Sequence, residues 1–571
     1  MPEQSFMKSL FHGVIAEELA FPWPEIAAAD RDKLQRVSDD VRKLAADHVD
    51  AAWIDAKSTL PEAVRRGVRE IGLLGARIPT DLGGLGLSTV AHARLMQEVA
   101  SIDGSLALTL LAHDLGHQSL LLFGSDAQKR RYLPKIARDG WLCAFALTEP
   151  LAGSDAASMH TRAEPTRDGE GYVLRGEKAW ILNGGDAQLF SVFARTSADA
   201  LSKPHIAAFL VERAHGVTSS DEVHTSGMRG ASMTAIRFDG AAVPAANLIG
   251  EPGRGFRVAV EALNRGRLGI GAACVGMTKK VVARALAHAE QRRAFGRPIG
   301  QFGLTKDKLG GMMVDLFALE SVVHLTAGIV DARVAEDSLE SAICKVMGCE
   351  TLIRATQTAM SIVAGPGFVA GSPWERGMRD AQAFLTYGGT NDILRCFIAL
   401  AGMAGPGREI TEVSRAMREP IKGFGLLSDF AIRKARSALG RERLHRVHPL
   451  LNKETVLFEE VTAELTRNVD KVLRKHGKEI AEMQFTQRRI ADLASDLFGI
   501  AACLSRTSRA IERKGEEGAR REIELTTAFA ARAEQRMGAI VRAFERNDDE
   551  LLKGIAARAT IDGGYPLDVL L

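Results

Sequence analysis

The spacing of apolar residues changes along the chain and predicts where helices give way to strands. From residue 26 to about 140, apolar residues recur every three or four positions, as in LPEAVRRGVREIGLLG, which predicts amphipathic helices. From about 141 to 250 the spacing becomes two, in short stretches such as LFSVFART and HIAAFLVER that Gly, Asp and Pro bound, and this is typical of strands. From 256 to about 405 the helical period returns.

The Gly/Pro-rich stretch AGMAGPGRE near residue 405 predicts a helix break, after which helical spacing continues to the C-terminus. These changes predict an α+β protein in which a β-domain is inserted between helical domains. We place an N-terminal helical domain at 1–140, a middle β-domain at 141–255, a helical domain at 256–405 and a C-terminal helical extension at 406–571.

Composition narrows the class of protein. The 571 residues are 46% hydrophobic and 25% charged, which is ordinary for a globular protein and excludes a mostly disordered chain. A net charge of +3 is too small to indicate a nucleic-acid partner. The six cysteines include no C-x-x-C pair, which favours a reducing compartment and argues against a metal site.

The N-terminal stretch MPEQSFMKSLFHGVIAEELAFPWPE does not resemble a signal or transit peptide, because acidic residues interrupt its apolar run. About 18 consecutive apolar residues occur nowhere, so no bilayer span is expected. We therefore expect a cytoplasmic protein that is either soluble or peripheral on the membrane.

Special residues concentrate in FALTEPLAGSD (145–155), KAWILNGG (178–185), QRRAFGRP (291–298), VAGPGF (363–368) and YGGTNDILR (387–395). The first offers backbone N–H groups and hydroxyls at a sheet edge, which suits a heteroaromatic ring and an anion. The last opens a helix with a Gly-Gly-Thr turn, where backbone can approach an anionic ligand closely. Taken singly, each is explained as well by a loop, core packing or complementation of a helix dipole.

Together, in this order, the clusters resemble the acyl-CoA dehydrogenase family of FAD flavoproteins. The likeness rests on four motifs: T-E-P-x-A-G-S-D, K-x-W-I-x-N-G-G, R-x-x-F-G and G-T-N-D-I-L-R. Two further stretches are similar to the very-long-chain branch: LNRGRLGIGAACVG and the C-terminal MQFTQRRIADLASDLFGIAACLSRTSRAIE. The resemblance implies that the domain at 256–405 is a four-helix bundle and that the chain forms a homodimer. It also implies oxidation of a long-chain acyl-CoA to the trans-2-enoyl-CoA in fatty-acid β-oxidation, with electron-transfer flavoprotein or a similar acceptor.

The resemblance also implies site residues. For FAD they are Phe145, Leu147, Thr148, Gly153, Ser154, Trp180, Ile181, Leu182, Arg292, Phe295, Gly365, Gly367, Thr390, Asn391 and Asp392. Arg292 and Phe295 would reach the FAD of a neighbouring subunit. For acyl-CoA the implied residues are Ser154, Arg267, Tyr387, Gly388 and Gly389.

This chain departs from the family where the chemistry needs a base. The family removes the α-proton with the Glu of a Y-E-G-T phrase, and Gly388 stands at that position here. Some relatives place the Glu before the arginine of the earlier helix, but Gly266 precedes Arg267. Loss of a positioned base costs roughly 10²–10⁴-fold in rate. Two milder departures are Leu182, where Ser or Thr usually bonds the flavin, and Ser361, where Gln is usual.

Four carboxylates near these motifs are candidate replacements. They are Asp392, Glu261, Glu375 and Asp380, none at a position that matches the family's base. Tyr387 has too high an ordinary pKa to replace it. Three functions remain open: a dehydrogenase with altered activity, an otherwise altered flavoenzyme such as a 2-enoyl-CoA reductase, and an inactive acyl-CoA-binding or scaffolding homologue. The backbone N–H of residue 388 is able to polarise a thioester carbonyl in each case.

The segment 420–446 combines charge with a thin apolar stripe. It holds seven Lys or Arg against Asp429 and Glu442, and Phe424, Leu427, Ala431, Ala435 and Ala438 fall on one helical face. Such a basic amphipathic helix is able to lie in an anionic membrane interface. The alternative is a solvated helix that packs on its own domain.

Overall fold

The computed structural model describes residues 5–196, 205–333, 336–416 and 442–567. The predicted basic segment 420–446 therefore lies, except for its last five residues, outside the described residues.

The N-terminal part is helical, as predicted. Its helices are α1 (Phe6–Phe11), α2 (Ala28–His48), α3 (Ala51–Lys57), α4 (Glu62–Ile71), α5 (Thr89–Ile102), α6 (Gly104–Phe123) and α7 (Asp126–Ala137). Side-chain caps fix several of the helix starts, because a cap oxygen satisfies an N–H that the first turn leaves free. Ser88 accepts a hydrogen bond from the Ala91 N–H, and Asp103 accepts one from the Leu106 N–H.

The middle part is a β-domain. Its strands are β1 (Cys143–Ala146), β2 (Arg162–Pro165), β3 (Gly171–Leu182), β4 (Leu189–Arg195), β5 (Ile206–Glu212), β6 (Val217–Ser219), β7 (Met233–Pro244) and β8 (Leu248–Ile249). They form one sheet in the order β6-β7-β3-β2-β4-β5-β8, with β1 parallel to β4. Strands β3 and β7 are antiparallel, and their register shifts between Lys178 and Ile181, where a bulge re-aims the side chains.

A helical bundle follows the sheet. Its elements are α8 (Gly255–Gln291), β9 (Arg293–Ala294), β10 (Arg297–Pro298), α9 (Gly303–Asp331), α10 (Ser338–Val363), α11 (Pro373–Thr386) and α12 (Asn391–Ala416). Helix α8 packs against α10 and also against α5 and α6 of the N-terminal part. Close approach requires glycine on α8, since a Cβ at Gly276 would lie 2.1 Å from the Gln97 carbonyl oxygen.

Helix α9 is long and apolar enough to cross a membrane. However, 67% of its most apolar window is buried inside the protein, as expected for a core helix of a bundle. This helix is therefore weak evidence for a bilayer span.

The helix break predicted at AGMAGPGRE is wrong, because α12 continues through it and contains Pro406. The glycines serve packing instead. A Cβ at Gly402 would lie 2.3 Å from the Phe11 ring, and one at Gly405 would lie 2.4 Å from His12 Nε2. Small residues here let α1 rest directly on α12.

The C-terminal part is again helical, with α13 (Asn452–His476), α14 (Gln484–Gly518), α15 (Arg520–Ala543) and α16 (Asp549–Asp562). Arg395 joins it to the bundle, with Nη1 2.7 Å from Glu350 and Nε 2.7 Å from Asp492 on α14. The predicted α+β class, with a β-domain between helical parts and a further helical part at the C-terminus, is confirmed.

Candidate active site

A buried ion pair joins the first two sequence clusters. Lys178 Nζ donates to Glu149 Oε1 at 2.9 Å and to the Leu147 carbonyl oxygen at 3.0 Å. The Ala179 N–H donates to the Thr148 carbonyl oxygen at 3.0 Å. The turn after β1 is thus fixed against the end of β3, which brings the two predicted clusters to one sheet edge.

Burial and the partner's charge act in opposite directions on the pKa values of this pair. It lowers the pKa of Lys178 to about 8, against the effect of the nearby carboxylate. Burial alone would raise the pKa of Glu149, but the Lys178 charge and N–H groups of His160 and Thr161 lower it overall. Separating the two residues would leave an unpaired buried charge at a high cost in free energy. The ion pair therefore fixes the position of the turn.

Trp180 stands out of the sheet edge in a strained conformation. Its φ is +54°, and its side chain is 52% exposed although Ala179 and Ile181 on either side are buried. Non-glycine residues in this region cost of order 1–3 kcal/mol and cluster at functional sites. Asn183, also at positive φ, anchors the turn by donating to the carbonyl oxygens of Thr109 (3.0 Å) and Cys143 (3.2 Å).

The residues of the first cluster, in which the Thr148 carbonyl bonds the backbone next to Trp180, differ in exposure. Gly153 and Ser154 are exposed, Thr148 is half-buried, and the Phe145 ring lies 4.9 Å from that of Phe193. By contrast, three predicted cofactor residues face protein: Leu147 is buried, Ile181 lies in the sheet core, and Leu182 packs against the helical core. For Ile181 only the backbone remains available to a ligand.

Two buried cations hold the turn at 387–391. Arg267 Nε donates to the Gly388 carbonyl oxygen at 3.1 Å, and Arg267 Nη1 donates to Asn264 Oδ1 at 2.8 Å. Lys345 Nζ donates to the carbonyl oxygens of Leu385 (3.2 Å) and Gly389 (2.8 Å) and to Asn391 Oδ1 (2.8 Å). These bonds leave the turn with little freedom.

The turn itself requires glycine. Gly388 and Gly389 have φ of +72° and +98°, which side-chain-bearing residues rarely adopt. With its carbonyl directed to Arg267, Gly388 keeps an N–H that donates to no atom of the described chain. Burial lowers the pKa of Arg267 to about 10 and also lowers that of Lys345.

Apolar side chains lie behind both glycines that match base positions of the family. A Cβ at Gly388 would lie 2.9 Å from Ile270 Cδ1, and one at Gly266 would lie 3.2 Å from Leu115 Cδ1. A carboxylate at either position would require these side chains to move.

The four alternative carboxylates are engaged elsewhere or exposed. Glu261 pairs with Arg257 at 3.1 Å, Glu375 pairs with Arg379, and Asp392 is exposed. Asp380 accepts the Met228 N–H at 2.6 Å, and burial, with Asp103 and Asp55 nearby, raises its pKa to about 7. Within the described chain, none of the four contacts the Gly388 turn through a hydrogen bond.

The remaining predicted residues lie apart from these two clusters. Phe295 is 94% exposed at the tip of the β9–β10 hairpin that follows Arg292. Gly365 is exposed and Gly367 is buried in a short 3₁₀ turn. Thr390 and Asn391 take part in the turn, because Thr390 Oγ1 accepts the Ile393 N–H at 3.4 Å and Asn391 Nδ2 donates to Glu350 at 3.3 Å.

Sequence reasoning missed Lys345, Asn264 and Ile270, which hold or back the turn. A lysine inside the apolar stretch AICKVMGCE was the available signal, because a lysine on a core face requires buried acceptors. Asn264 and Ile270 carry no comparable signal.

A group of buried metal-type ligands, His113, His117 and Cys143, is already used by the fold. His113 Nε2 bonds the Leu74 carbonyl oxygen at 2.8 Å, and His113 Nδ1 accepts the Cys143 N–H at 3.1 Å. Both ring nitrogens of His113 are therefore occupied, and the group is a hydrogen-bonded part of the core.

Comparison with known families agrees with this architecture. Family models match residues 31–139 (acyl-CoA dehydrogenase, N-terminal domain), 144–241 (middle domain), 253–403 (C-terminal domain) and 449–565 (ACAD9/ACADV, C-terminal domain). The matches cover most of the chain in the expected order.

Individual relatives extend the comparison. The chain is 35% identical to the mitochondrial very long-chain specific acyl-CoA dehydrogenase of Homo sapiens, over 99% of this chain and 89% of that protein. It is 33% identical to a Bacillus subtilis protein named "Probable acyl-CoA dehydrogenase", over 81% of this chain and 78% of that protein. The structure of an acyl-CoA dehydrogenase complexed with FAD from Bacillus anthracis aligns with a TM-score of 0.78 at 27% identity, covering 98% of this chain and 96% of the other. The chain therefore belongs to the acyl-CoA dehydrogenase family.

Proposed function

We propose that the protein is an FAD-dependent oxidoreductase that converts a long-chain acyl-CoA to its trans-2-enoyl-CoA without a carboxylate at position 388. The observation that carries this proposal is the Gly388 turn. Arg267 and Lys345 hold it so that one N–H stays free for a thioester carbonyl. An N–H fixed in this half-buried turn would stabilise the negative charge that develops on that oxygen when the α-proton leaves.

The sheet edge fits the isoalloxazine of FAD. Trp180 offers an exposed indole face for a flat ring, while Thr148 and Ser154 offer hydroxyls beside it. The backbone at Gly153 is open, since a Cβ there would meet only Thr148 Cγ2, at 4.0 Å. When bound, FAD would supply the hydride acceptor. These chain residues would bind and orient its ring, and Leu182 would offer it no hydroxyl.

The ADP part of FAD would lie near Gly365, Gly367 and the start of α12, where Asp392 is exposed. Gly365 is open, because no heavy atom would lie within 4 Å of a Cβ there. These assignments are carried over from the resemblance.

The 35% identity to a very long-chain specific enzyme favours a long acyl chain, and electron-transfer flavoprotein or a similar carrier is the proposed acceptor. Ser154, Arg267 and the Tyr387–Gly389 turn are the proposed acyl-CoA contacts.

A homodimer would account for the β9–β10 hairpin. Phe295 at its tip is 94% exposed, and burying such a side chain is worth about 1.5–3 kcal/mol. We propose that a partner subunit covers it and that Arg292 and Phe295 reach the partner's FAD.

Membrane contact by the segment 420–446 and a cytoplasmic or peripheral location are proposed on the sequence alone. The sequence of that segment contains seven Lys or Arg residues and two acidic residues, Asp429 and Glu442. Attraction to an anionic surface would then be sensitive to salt.

The test is anaerobic mixing of the FAD-loaded protein with short, medium and long acyl-CoAs while the visible absorbance of the flavin is followed. Bleaching that is fastest with long chains supports the proposal. Chemically reduced flavin that is reoxidised by an enoyl-CoA, with no bleaching by any acyl-CoA, would favour an enoyl reductase. Tight acyl-CoA binding without either change would favour a scaffold.

A further inference from the structure

A small cavity with some polar lining lies between α5, α6 and α8, beside the second glycine that matches a family base position. Gly266 and Leu115 form part of its wall, and His92, Asp114, Arg77 and Gln118 give it a polar end. Its volume of about 20 Å³ has room for one water molecule. With several donors and acceptors around it, the cavity meets the polar requirement for a held water.

His92 and Asp114 form a buried imidazole–carboxylate pair at the polar end. His92 Nε2 lies 2.9 Å from Asp114 Oδ2, and the side chains are 10% and 17% exposed. Within the described chain His92 Nδ1 makes no hydrogen bond. A carboxylate at this place would favour the tautomer protonated at Nε2, which leaves Nδ1 as a proton acceptor on a ring that lines the cavity.

The charges around the pair favour an ionised Asp114. Burial alone would raise the pKa of this carboxyl, but His92 and the two other nearby imidazoles lower it to about 2. Arg77 lines the same cavity, and its hydrogen bonds within the described residues go to neutral acceptors, Gln118 Oε1 and Thr89 Oγ1, both at 3.4 Å. Arg265, the other cation of the lining, is paired with Asp337.

The cavity is close to the Gly388 turn. Gly266 and Ile270 are four residues apart on α8, so they lie on one face, about one helical turn apart. Ile270 is the side chain that lies against the Gly388 position, 2.9 Å from a Cβ built there. The cavity wall at Gly266 is thus about one helical turn along α8 from Ile270, the side chain that lies against the turn that would hold the thioester.

We propose that His92, oriented by Asp114, accepts the α-proton of the acyl-CoA through one water in this cavity, replacing the carboxylate that relatives carry. The inference rests on the proposed function. The substrate C2–H bond breaks and its electron pair forms the C2=C3 bond, while the hydrogen on C3 leaves as hydride to the bound flavin, which is the oxidant. The water takes the C2 proton and gives one of its own to His92 Nδ1, which leaves an imidazolium beside the Asp114 carboxylate.

The test separates proton removal from flavin reduction. The FAD-loaded protein is mixed in D₂O with a long acyl-CoA analogue that has sulfur at position 3 and therefore cannot give up a hydride there. NMR then follows exchange of its C2 protons. We expect His92→Gln to slow this exchange by about 10²-fold or more. Asp114→Asn should slow it less, because it removes only the orienting group.

A control and a rescue complete the design. His324→Gln changes another largely buried histidine, whose Nε2 lies 2.9 Å from the Pro24 carbonyl oxygen, and should leave exchange unchanged. His92→Gly makes room for added imidazole, which should restore exchange and the reduction of the flavin by ordinary acyl-CoA. A purely structural role for His92 would not be rescued by imidazole.

Failure of this inference is distinguishable from failure of the proposed function. If the wild type exchanges C2 protons and its flavin is bleached, yet His92→Gln is within about twofold of His324→Gln, His92 is not the acceptor. If the wild type binds FAD and acyl-CoA but neither exchanges protons nor is bleached, the proposed function and this inference are both wrong.

Discussion

A carboxylate restored at position 388 should make flavin reduction independent of His92, provided that space behind the turn is opened first. The φ of +72° costs a residue with a side chain about 1–2 kcal/mol, and a Cβ would lie 2.9 Å from Ile270 Cδ1. Ile270→Val removes that methyl group at about 0.5–1.5 kcal/mol. Gly388→Glu with Ile270→Val should therefore fold, whereas Gly388→Glu alone should be overpacked as well as strained.

The assay is stopped-flow reduction of the flavin by a long acyl-CoA. In a His92→Gln background, we expect Gly388→Glu with Ile270→Val to recover about 10²–10⁴-fold in rate. Gly388→Ala with Ile270→Val is the matched control, because it adds the same Cβ and strain without a carboxylate. Equal rates for the Glu and Ala variants, with FAD and acyl-CoA bound by both, would refute the view that position 388 faces the α-proton.

Three further changes test other parts of the structure. Lys345→Met removes the donor to the partly buried carbonyl oxygens of Leu385 and Gly389 and to the buried Asn391 Oδ1, and it should lower the free energy of unfolding by about 3 kcal/mol or more in urea titrations. Lys308→Met, which loses one exposed bond to Ser361, should change it little. Glu340→Gln should remove a pH dependence of stability, because burial raises the pKa of Glu340 to about 7 and the folded state therefore keeps a proton that the unfolded state releases. In thermal melts, wild-type stability should fall by about 3 kcal/mol relative to the variant as pH rises from about 4.5 to above 7. The same pH dependence of melting for both proteins would contradict this. Replacing the Lys and Arg residues of the segment 420–446 should abolish salt-sensitive liposome binding, because each cation contributes about 1 kcal/mol near an anionic surface. Equal binding of the wild type to neutral and anionic vesicles would count against membrane contact.

Local patterns predicted the architecture well, because the change of apolar period from three or four to two marks the sheet between β1 and β8. They failed where a small residue serves a distant partner. Gly402 and Gly405 read as a helix break, yet they make room for Phe11 and His12, which are almost 400 residues away in sequence. The six-residue helix α1 was missed because it is too short to show a period.

The candidate site also combines features that local motifs predict with features that depend on distant contacts. The motifs identified the two loops, and the structure joins the first two clusters through Lys178 and Glu149. Which side chains face a ligand depends on the bulge at Trp180 and could not be read from alternation, as Ile181 illustrates. The bonds of Lys345 to Leu385 and Gly389 link positions 40 and 44 residues apart, and no local pattern predicts such pairs.

The His92–Asp114 pair could not be predicted from local sequence patterns. The two residues lie on separate helices, α5 and α6, and neither belongs to a motif. Their connection to Gly266 exists only because both helices pack against α8 around one cavity.

The most direct test of oxidoreductase activity without a carboxylate at position 388 is one anaerobic turnover of the wild-type protein. FAD-loaded protein is mixed with excess long-chain acyl-CoA, and both flavin bleaching and the enoyl-CoA formed are measured. The account predicts full bleaching with one trans-2-enoyl-CoA formed per flavin. A flavin that stays oxidised while acyl-CoA is bound, with no enoyl-CoA formed, would contradict it.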